Sequence, residues 1–170
     1  NIAYQGGNVT VLLLDNRSTA MTGGQHNPGN GRKLDGSPAP RLDFAKLVEA
    51  LGVRPERVRV VDPYALPTFF KVLREEMRAP EPSVIITDRP CVLTEDFERQ
   101  PPLKVVEEDC NGCARCFDVG CPAITATRRE RQTRASGKVV DLVWARVERA
   151  MCTGCDLCAK ACARGAIVRQ

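Results

Sequence analysis

No apolar run in this chain is long enough to cross a bilayer. The longest, Val9 to Leu14, falls far short of the roughly 20 residues that a spanning helix needs. A charged-then-apolar leader with a small-residue cleavage site is also lacking, which predicts a soluble, cytoplasmic protein with no membrane partner. Cysteine is missing from the whole stretch Asn1 to Arg89. The nine cysteines therefore do not form a framework spread through a secreted domain: eight fall between Cys110 and Cys162, and Cys91 has no partner. That spacing is tighter and more regular than disulfides require, and it points to a reducing compartment.

A large charge imbalance is absent too. Twenty-five Lys and Arg against 21 Asp and Glu give a formal net charge of +4. Two oxidised four-iron clusters, at roughly −2 each with their thiolates, would bring this to about zero. A solvated surface is then the better reading of the basic residues, and no nucleic-acid partner is expected.

At 170 residues the chain can hold one ordinary domain or two small ones. Its first half reads β-loop-α-β-α-β. Asn8 to Leu14 is β-branched and apolar on both faces, as in a buried parallel strand. Leu42 to Leu51 has helical apolar spacing and stops at Gly52. Arg57 to Val61 is a short strand, Leu66 to Met77 a helix with Pro67 in its first turn, and Ser83 to Thr87 a third strand. This order predicts a parallel sheet with helical crossovers. Cys91, just beyond the third strand, reads as a buried small hydrophobe.

The second half contains a repeat. C-N-G-C-A-R-C, continuing to Cys121, mirrors C-T-G-C-D-L-C, continuing to Cys162. Between them Lys138 to Glu148 alternates as one arm of a hairpin, with Ser136-Gly137 at its turn. Three cysteines in seven residues wrap one face of a four-iron cube, and the trailing fourth points to the other cluster. Cys110, Cys113, Cys116 and Cys162 would hold one [4Fe-4S] cluster, and Cys121, Cys152, Cys155 and Cys158 the other. Zinc is the alternative, but its sites use two separated C-x-x-C pairs rather than two triplets. Gly112 and Gly154 would let backbone N–H groups approach the clusters, or simply serve the turns. Arg128, Arg129, Arg131, Arg134 and Lys138 crowd the hairpin, either as a solvated face or as a basic patch that steers an acidic electron acceptor.

The long Gly/Asn/Pro-rich loop from Asp15 to Arg41 leaves the C-terminal end of a strand, where open α/β sheets bind ligands. Its length points to function, or to a mobile surface segment. Asn16 offers a carbonyl oxygen to a hard cation such as Mg2+, and Gly23 and Gly24 could turn N–H groups toward a diphosphate. His26, the only histidine, is read as an exposed loop residue or a substrate contact.

The stretch L-L-L-D-N-R-S-T-A-M-T-G-G-Q, with V-V-D-P-Y, P-S-V-I-I and the cysteine-rich tail, resembles the C-terminal part of the alpha subunits of the indolepyruvate:ferredoxin oxidoreductase family, within the 2-oxoacid:ferredoxin oxidoreductase superfamily. The resemblance covers essentially the whole chain. It implies an α/β partial thiamine diphosphate-binding domain at 1–91, a linker at 92–106 and an α+β ferredoxin-like domain with two [4Fe-4S] clusters at 107–170. By resemblance Asn16 ligates Mg2+ through its side chain and Ser18 through its backbone carbonyl. Thr22, Gly23, Gly24 and Gln25 match the loop beside the diphosphate and active site.

The implied activity is oxidative decarboxylation of an aryl 2-oxoacid such as indolepyruvate to acyl-CoA and CO2. Coenzyme A is the implied cosubstrate and an external ferredoxin the acceptor. The family's G-D-G metal ligand, pyrimidine-binding domain and activating Glu are not in this sequence. The rest of an alpha subunit, or another chain, would complete the site, alongside a smaller partner subunit. Met21 stands where the pyruvate-specific branch has Asn, and it reads as an apolar wall for an aryl group or as core packing. The alternative reading is a dedicated electron-transfer subunit whose α/β segment is a docking scaffold.

Overall fold

The apolar run after Asn8 does form a strand, β1 (Thr10–Asp15). Two more parallel strands, β2 (Val58–Val61) and β3 (Ser83–Asp88), join it in the order β1-β3-β2. The computed structural model describes residues 1–170, which divide into two compact units, Asn1–Phe97 and Glu98–Gln170.

In the first unit, helix α1 (Phe44–Ala50) starts where the Asp43 carboxylate accepts the Lys46 N–H at 3.1 Å. It stops ahead of Gly52, whose φ of 94° no β-carbon-bearing residue adopts cheaply. Helix α2 (Leu66–Glu76) tolerates Pro67 in its first turn. The β-loop-α-β-α-β order expected from the sequence is the order found. On one sheet face Val48, Val53, Val84 and Ile86 pack with Leu13 and Phe44. On the other, Ile85 meets Val61 and Val72. The middle strand β3 is buried from Ser83 to Thr87.

One expectation fails here. Asn8 to Leu14 reads as a strand buried on both faces, yet β1 is an edge strand, with Leu12 43% and Leu14 68% exposed. Helix α2 packs mainly on β2 and β3, which leaves Leu12 and Leu14 of β1 partly open. An unheralded feature is Glu76, fully buried, with its carboxylate held by Arg59 at 2.9 Å and Arg57 at 3.3 Å. Periodicity cannot reveal such a group, because a charged residue on an apolar helix face reads as noise.

The second unit contains two small antiparallel sheets. Strand β4 (Leu103–Val105) pairs with β7 (Ile167–Arg169), and β5 (Ile124–Thr133) pairs with β6 (Val139–Val147) in the expected hairpin. Gly137, at φ 77°, makes the turn. A bulge between Ala126 and Arg128 shifts the register, so that Arg128 lies opposite Trp144. A short helix, α3 (Leu157–Ala161), contains Cys158, the last cysteine of the second triplet. Leu103, at 2% exposure, joins Ile124, Ala145, Cys158 and Ile167 in the core. The stretch 92–106, read as a linker, therefore ends in a core strand. Its Pro101-Pro102 pair masks a three-residue strand too short to show alternation. No helix is long and apolar enough to cross a membrane.

Candidate functional site

The two cysteine triplets follow one backbone path. Gly112 (φ 69°) and Ala114 (φ 64°) in the first match Gly154 (φ 69°) and Asp156 (φ 65°) in the second. Left-handed backbone is costly for a residue with a β-carbon, so Ala114 and Asp156 hold a conformation that the surrounding loop imposes. Each such residue turns the chain between successive cysteines.

None of the nine cysteines forms a disulfide, and the eight clustered ones fall into two groups of four that cross the repeat. Burial raises the Cys116 pKa, and proximity to Cys110, Cys113 and Cys162 raises it further. Burial likewise lifts the Cys158 thiol to about 11, with Cys155, Cys121 and Cys152 adding to the effect. The first four also line one small hollow, together with Val143 and Ile167. Cys121 and Cys152 of the second group and Cys116 and Cys162 of the first all pack against the core that contains Cys158. No three ligand-type side chains are placed to hold a single metal ion. Soft thiols in fours, set around apolar walls, are a donor set that a thiolate-ligated cluster could use.

Core strands anchor both loops. The Val143 N–H donates to the Gly112 carbonyl at 2.8 Å, and the indole N–H of Trp144 donates to the Cys110 carbonyl at 3.0 Å. In the second loop Gly154 lies against the Gln100 backbone, where any β-carbon would overlap the carbonyl. Arg169 pairs with Asp156 there.

A different kind of site lies at the C-terminal end of β1. The Asn16 side-chain oxygen accepts the Ser18 N–H at 3.0 Å, closing a tight turn and leaving its second lone pair for a cation. The Asn16 carbonyl accepts the Cys91 N–H at 3.0 Å. Arg17 sits at φ 58°, a strained value for its type. Thr22 donates to the Gln25 side chain at 2.8 Å, and Gln25 folds back on the Thr22 carbonyl. Gly23 and Gly24 do take left-handed conformations, but their N–H groups donate within the loop, to Ala20 and Thr19 carbonyls at 3.2 and 3.3 Å. In this loop conformation they do not face outward toward a diphosphate, because the short Ala20–Thr22 turn captures them first.

Met21 is 99% exposed, which removes the core-packing reading. Cys91, read as buried, is half-buried and lines a cavity of about 480 Å3 with Arg17, Ser18, His26, Asn30 and Arg32. His26 is half-buried there, 3.4 Å from the Asn30 amide. Its charged lining is mixed, Arg17 and Arg32 against Glu95 and Asp96, and Arg17 is already paired with Asp88.

Reading the sequence missed the groups that hold this end of the sheet. Asp15, 8% exposed, pairs with Arg41. Arg41 also reaches Asp88 at 3.3 Å and the Gly29 carbonyl at 2.8 Å, while Arg17 meets Asp88 at 3.0 Å. Burial would raise the Asp88 pKa, but hydrogen bonds and charge from Arg17 and Arg41 outweigh it and leave the carboxyl below the usual range. The available signal was a pair of aspartates, Asp15 and Asp88, each ending a strand with arginines nearby in sequence.

The model of the thiamine pyrophosphate enzyme, C-terminal TPP binding domain, matches residues 1–87. Proteins called indolepyruvate oxidoreductase subunit IorA are similar over nearly the whole chain. That of Pyrococcus horikoshii is 33% identical across 98% of this chain and 24% of its own length. That of Methanothermobacter marburgensis is 33% identical across 92% and 23%, and that of Archaeoglobus fulgidus 30% across 98% and 25%. The chain thus spans about a quarter of the length of these curated relatives. No solved structure matches.

Proposed function

The chain belongs to the thiamine pyrophosphate enzyme family through a C-terminal TPP binding domain at residues 1–87, and we propose that it is the cofactor-and-cluster part of a 2-oxoacid:ferredoxin oxidoreductase. The observation that carries this reading is the hollow that brings Cys162 of the second motif to Cys110, Cys113 and Cys116 of the first, which leaves Cys121 with Cys152, Cys155 and Cys158. Such sorting is what two [4Fe-4S] clusters with exchanged fourth ligands require. Next to a thiamine-type domain, one-electron carriers fit an oxidative rather than a simple decarboxylation.

When bound, thiamine diphosphate supplies carbanion chemistry at the keto carbon and the clusters supply one-electron transfer. The residues of this chain position those groups. Asn16 offers its free lone pair to Mg2+, and Ser18 its backbone carbonyl. Arg17 and Arg32 line the adjoining cavity together with Glu95 and Asp96, while Thr22, Gly23, Gly24 and Gln25 shape the loop beside the diphosphate. The remaining oxygen ligand, the pyrimidine-binding domain and the activating Glu would come from the rest of the enzyme, which would also cover the exposed side of β1. The relatives' name favours indolepyruvate, with coenzyme A as cosubstrate, and exposed Met21 is available to meet an aryl group. The cationic hairpin supports encounter with an acidic external ferredoxin.

A second reading, an electron-transfer subunit with a docking scaffold, is favoured by the inward-turned N–H groups of Gly23 and Gly24. One experiment separates the two. In the intact enzyme, about eight irons per chain are expected, together with bound thiamine diphosphate. Asn16→Ala should weaken Mg2+-dependent thiamine binding by at least about tenfold and leave the iron content unchanged. Iron without thiamine would favour the scaffold reading. Stoichiometric zinc would remove both.

A further inference from the structure

The only tryptophan of the chain is tied to the first cysteine loop by more than packing. Its indole N–H donates to the Cys110 carbonyl at 3.0 Å. A β-carbon on Gly112 would come within 3.3 Å of both fusion carbons of the indole, so the loop backbone lies directly against the ring. The same strand takes the Gly112 carbonyl through the Val143 N–H at 2.8 Å. In a trans peptide the C=O and N–H point opposite ways. With both carbonyls drawn to β6, the N–H groups of those two peptide planes point away from it.

A cation completes the arrangement. The Arg128 guanidinium carbon lies 3.6 Å from the Trp144 ring centroid, well inside the range of a cation–π contact. The β5 bulge is what places it there, since the register shift after Ala126 brings Arg128 opposite Trp144. Thr127, the extra residue, donates its hydroxyl to the Trp144 carbonyl at 3.3 Å. Its neighbours on the hairpin are less constrained: Arg131 pairs with Asp141 where both are mostly exposed. Arg128 is thus singled out among the hairpin cations by a fixed position beside the Cys110 loop.

We propose that Trp144 and Arg128 are positioning residues for the first cluster, Trp144 fixing the Cys110–Cys113 loop and Arg128 biasing the cluster toward its reduced state. This rests on the cluster reading given above. Reduction adds one negative charge to the cluster, and a fixed cation nearby stabilises that added charge. The ring holds the guanidinium and at the same time shields the loop from solvent. The pair acts on one cluster only, because the second triplet is buttressed by Gln100 and Arg169 instead.

The test is potentiometric titration of the intact enzyme followed by electron paramagnetic resonance. The first cluster is identified as the one that Cys113→Ser perturbs. Arg128→Gln should shift the oxidised-to-reduced ratio of that cluster at fixed potential by at least threefold toward oxidised, about 28 mV for one electron. Arg128→Lys should recover most of the shift, and the second cluster should not move. Trp144→Phe keeps a ring for Arg128 but removes the N–H donor, so the first cluster should lose iron to a chelator at least threefold faster. Unchanged potential and chelation rate in an enzyme that holds both clusters would overturn the inference and leave the cluster reading standing. An enzyme without cluster iron would overturn both. Equal shifts at the two clusters would mean a general charge effect, and would also overturn it.

Discussion

Residues 112, 114, 154 and 156 share one backbone requirement but differ in what surrounds them. Ala114 and Asp156 have side chains in left-handed backbone, which costs roughly 1–2 kcal/mol each. Ala114→Gly should therefore stabilise the protein by about 0.5–1 kcal/mol, after the added freedom of the unfolded chain is subtracted. Gly154→Ala should do the reverse. It keeps the unfavourable φ of 69° and drives a β-carbon into the Gln100 carbonyl, so a loss above about 2 kcal/mol is expected. Urea denaturation of the two variants under reducing conditions checks both signs. A neutral Gly154→Ala would mean that the Gln100 segment yields freely.

At the scale of elements, the loop between β1 and α1 is held by charge rather than by a core. Its anchor is the chain Asp15–Arg41–Asp88–Arg17. The Asp88 pKa is lower in the folded protein than the usual carboxylate value. Its contribution to stability is therefore fully present above the unfolded pKa, about 4, and is lost as pH falls through the lowered folded value. Amide exchange of Arg17 and Ser18, corrected for intrinsic rates, should accelerate several-fold as pH drops below about 4. In Asp88→Asn the same acceleration should already be present at neutral pH. Exchange that ignores both acid and the substitution would show that the hydrogen bond between Asn16 and Ser18 holds the turn by itself. Helices α1 and α2 each bury an apolar stripe, and α2 adds the buried Glu76 carboxylate held by Arg57 and Arg59.

For the whole molecule, the division into Asn1–Phe97 and Glu98–Gln170 makes a specific claim about where the cysteine-rich unit begins. Residues 98–170 expressed alone should take up about eight irons on reconstitution. A fragment beginning at residue 107, the boundary read from the sequence, lacks β4. It loses the partner of β7 and the buried Leu103, a large core truncation worth roughly 2–5 kcal/mol. That shorter fragment should bind less iron and release it faster to a chelator. Equal iron content and stability in the two fragments would show that β4 is dispensable.

The sequence by itself determined the parts of this protein that depend on local chemistry. Periodicity and punctuation at Gly52, Pro67 and Gly137 located the helices and the hairpin, because caps, φ preference and side-chain alternation act over a few residues. Cysteine spacing located two equivalent loops for the same reason. The crossed ligation read from that spacing stays a proposal, and the hollow that Cys162 shares with Cys110, Cys113 and Cys116 is the contact it would need. Only the tertiary structure decided what depends on residues far apart in the chain. It put β1 at the sheet edge, folded Gly23 and Gly24 inward, exposed Met21 and set Arg41 between Asp15 and Asp88. It also brought Trp144 to Cys110, 34 positions away, and stacked Arg128 upon it. Such contacts arise from how elements pack, and neither composition nor spacing records which side chain a distant strand will present to a loop.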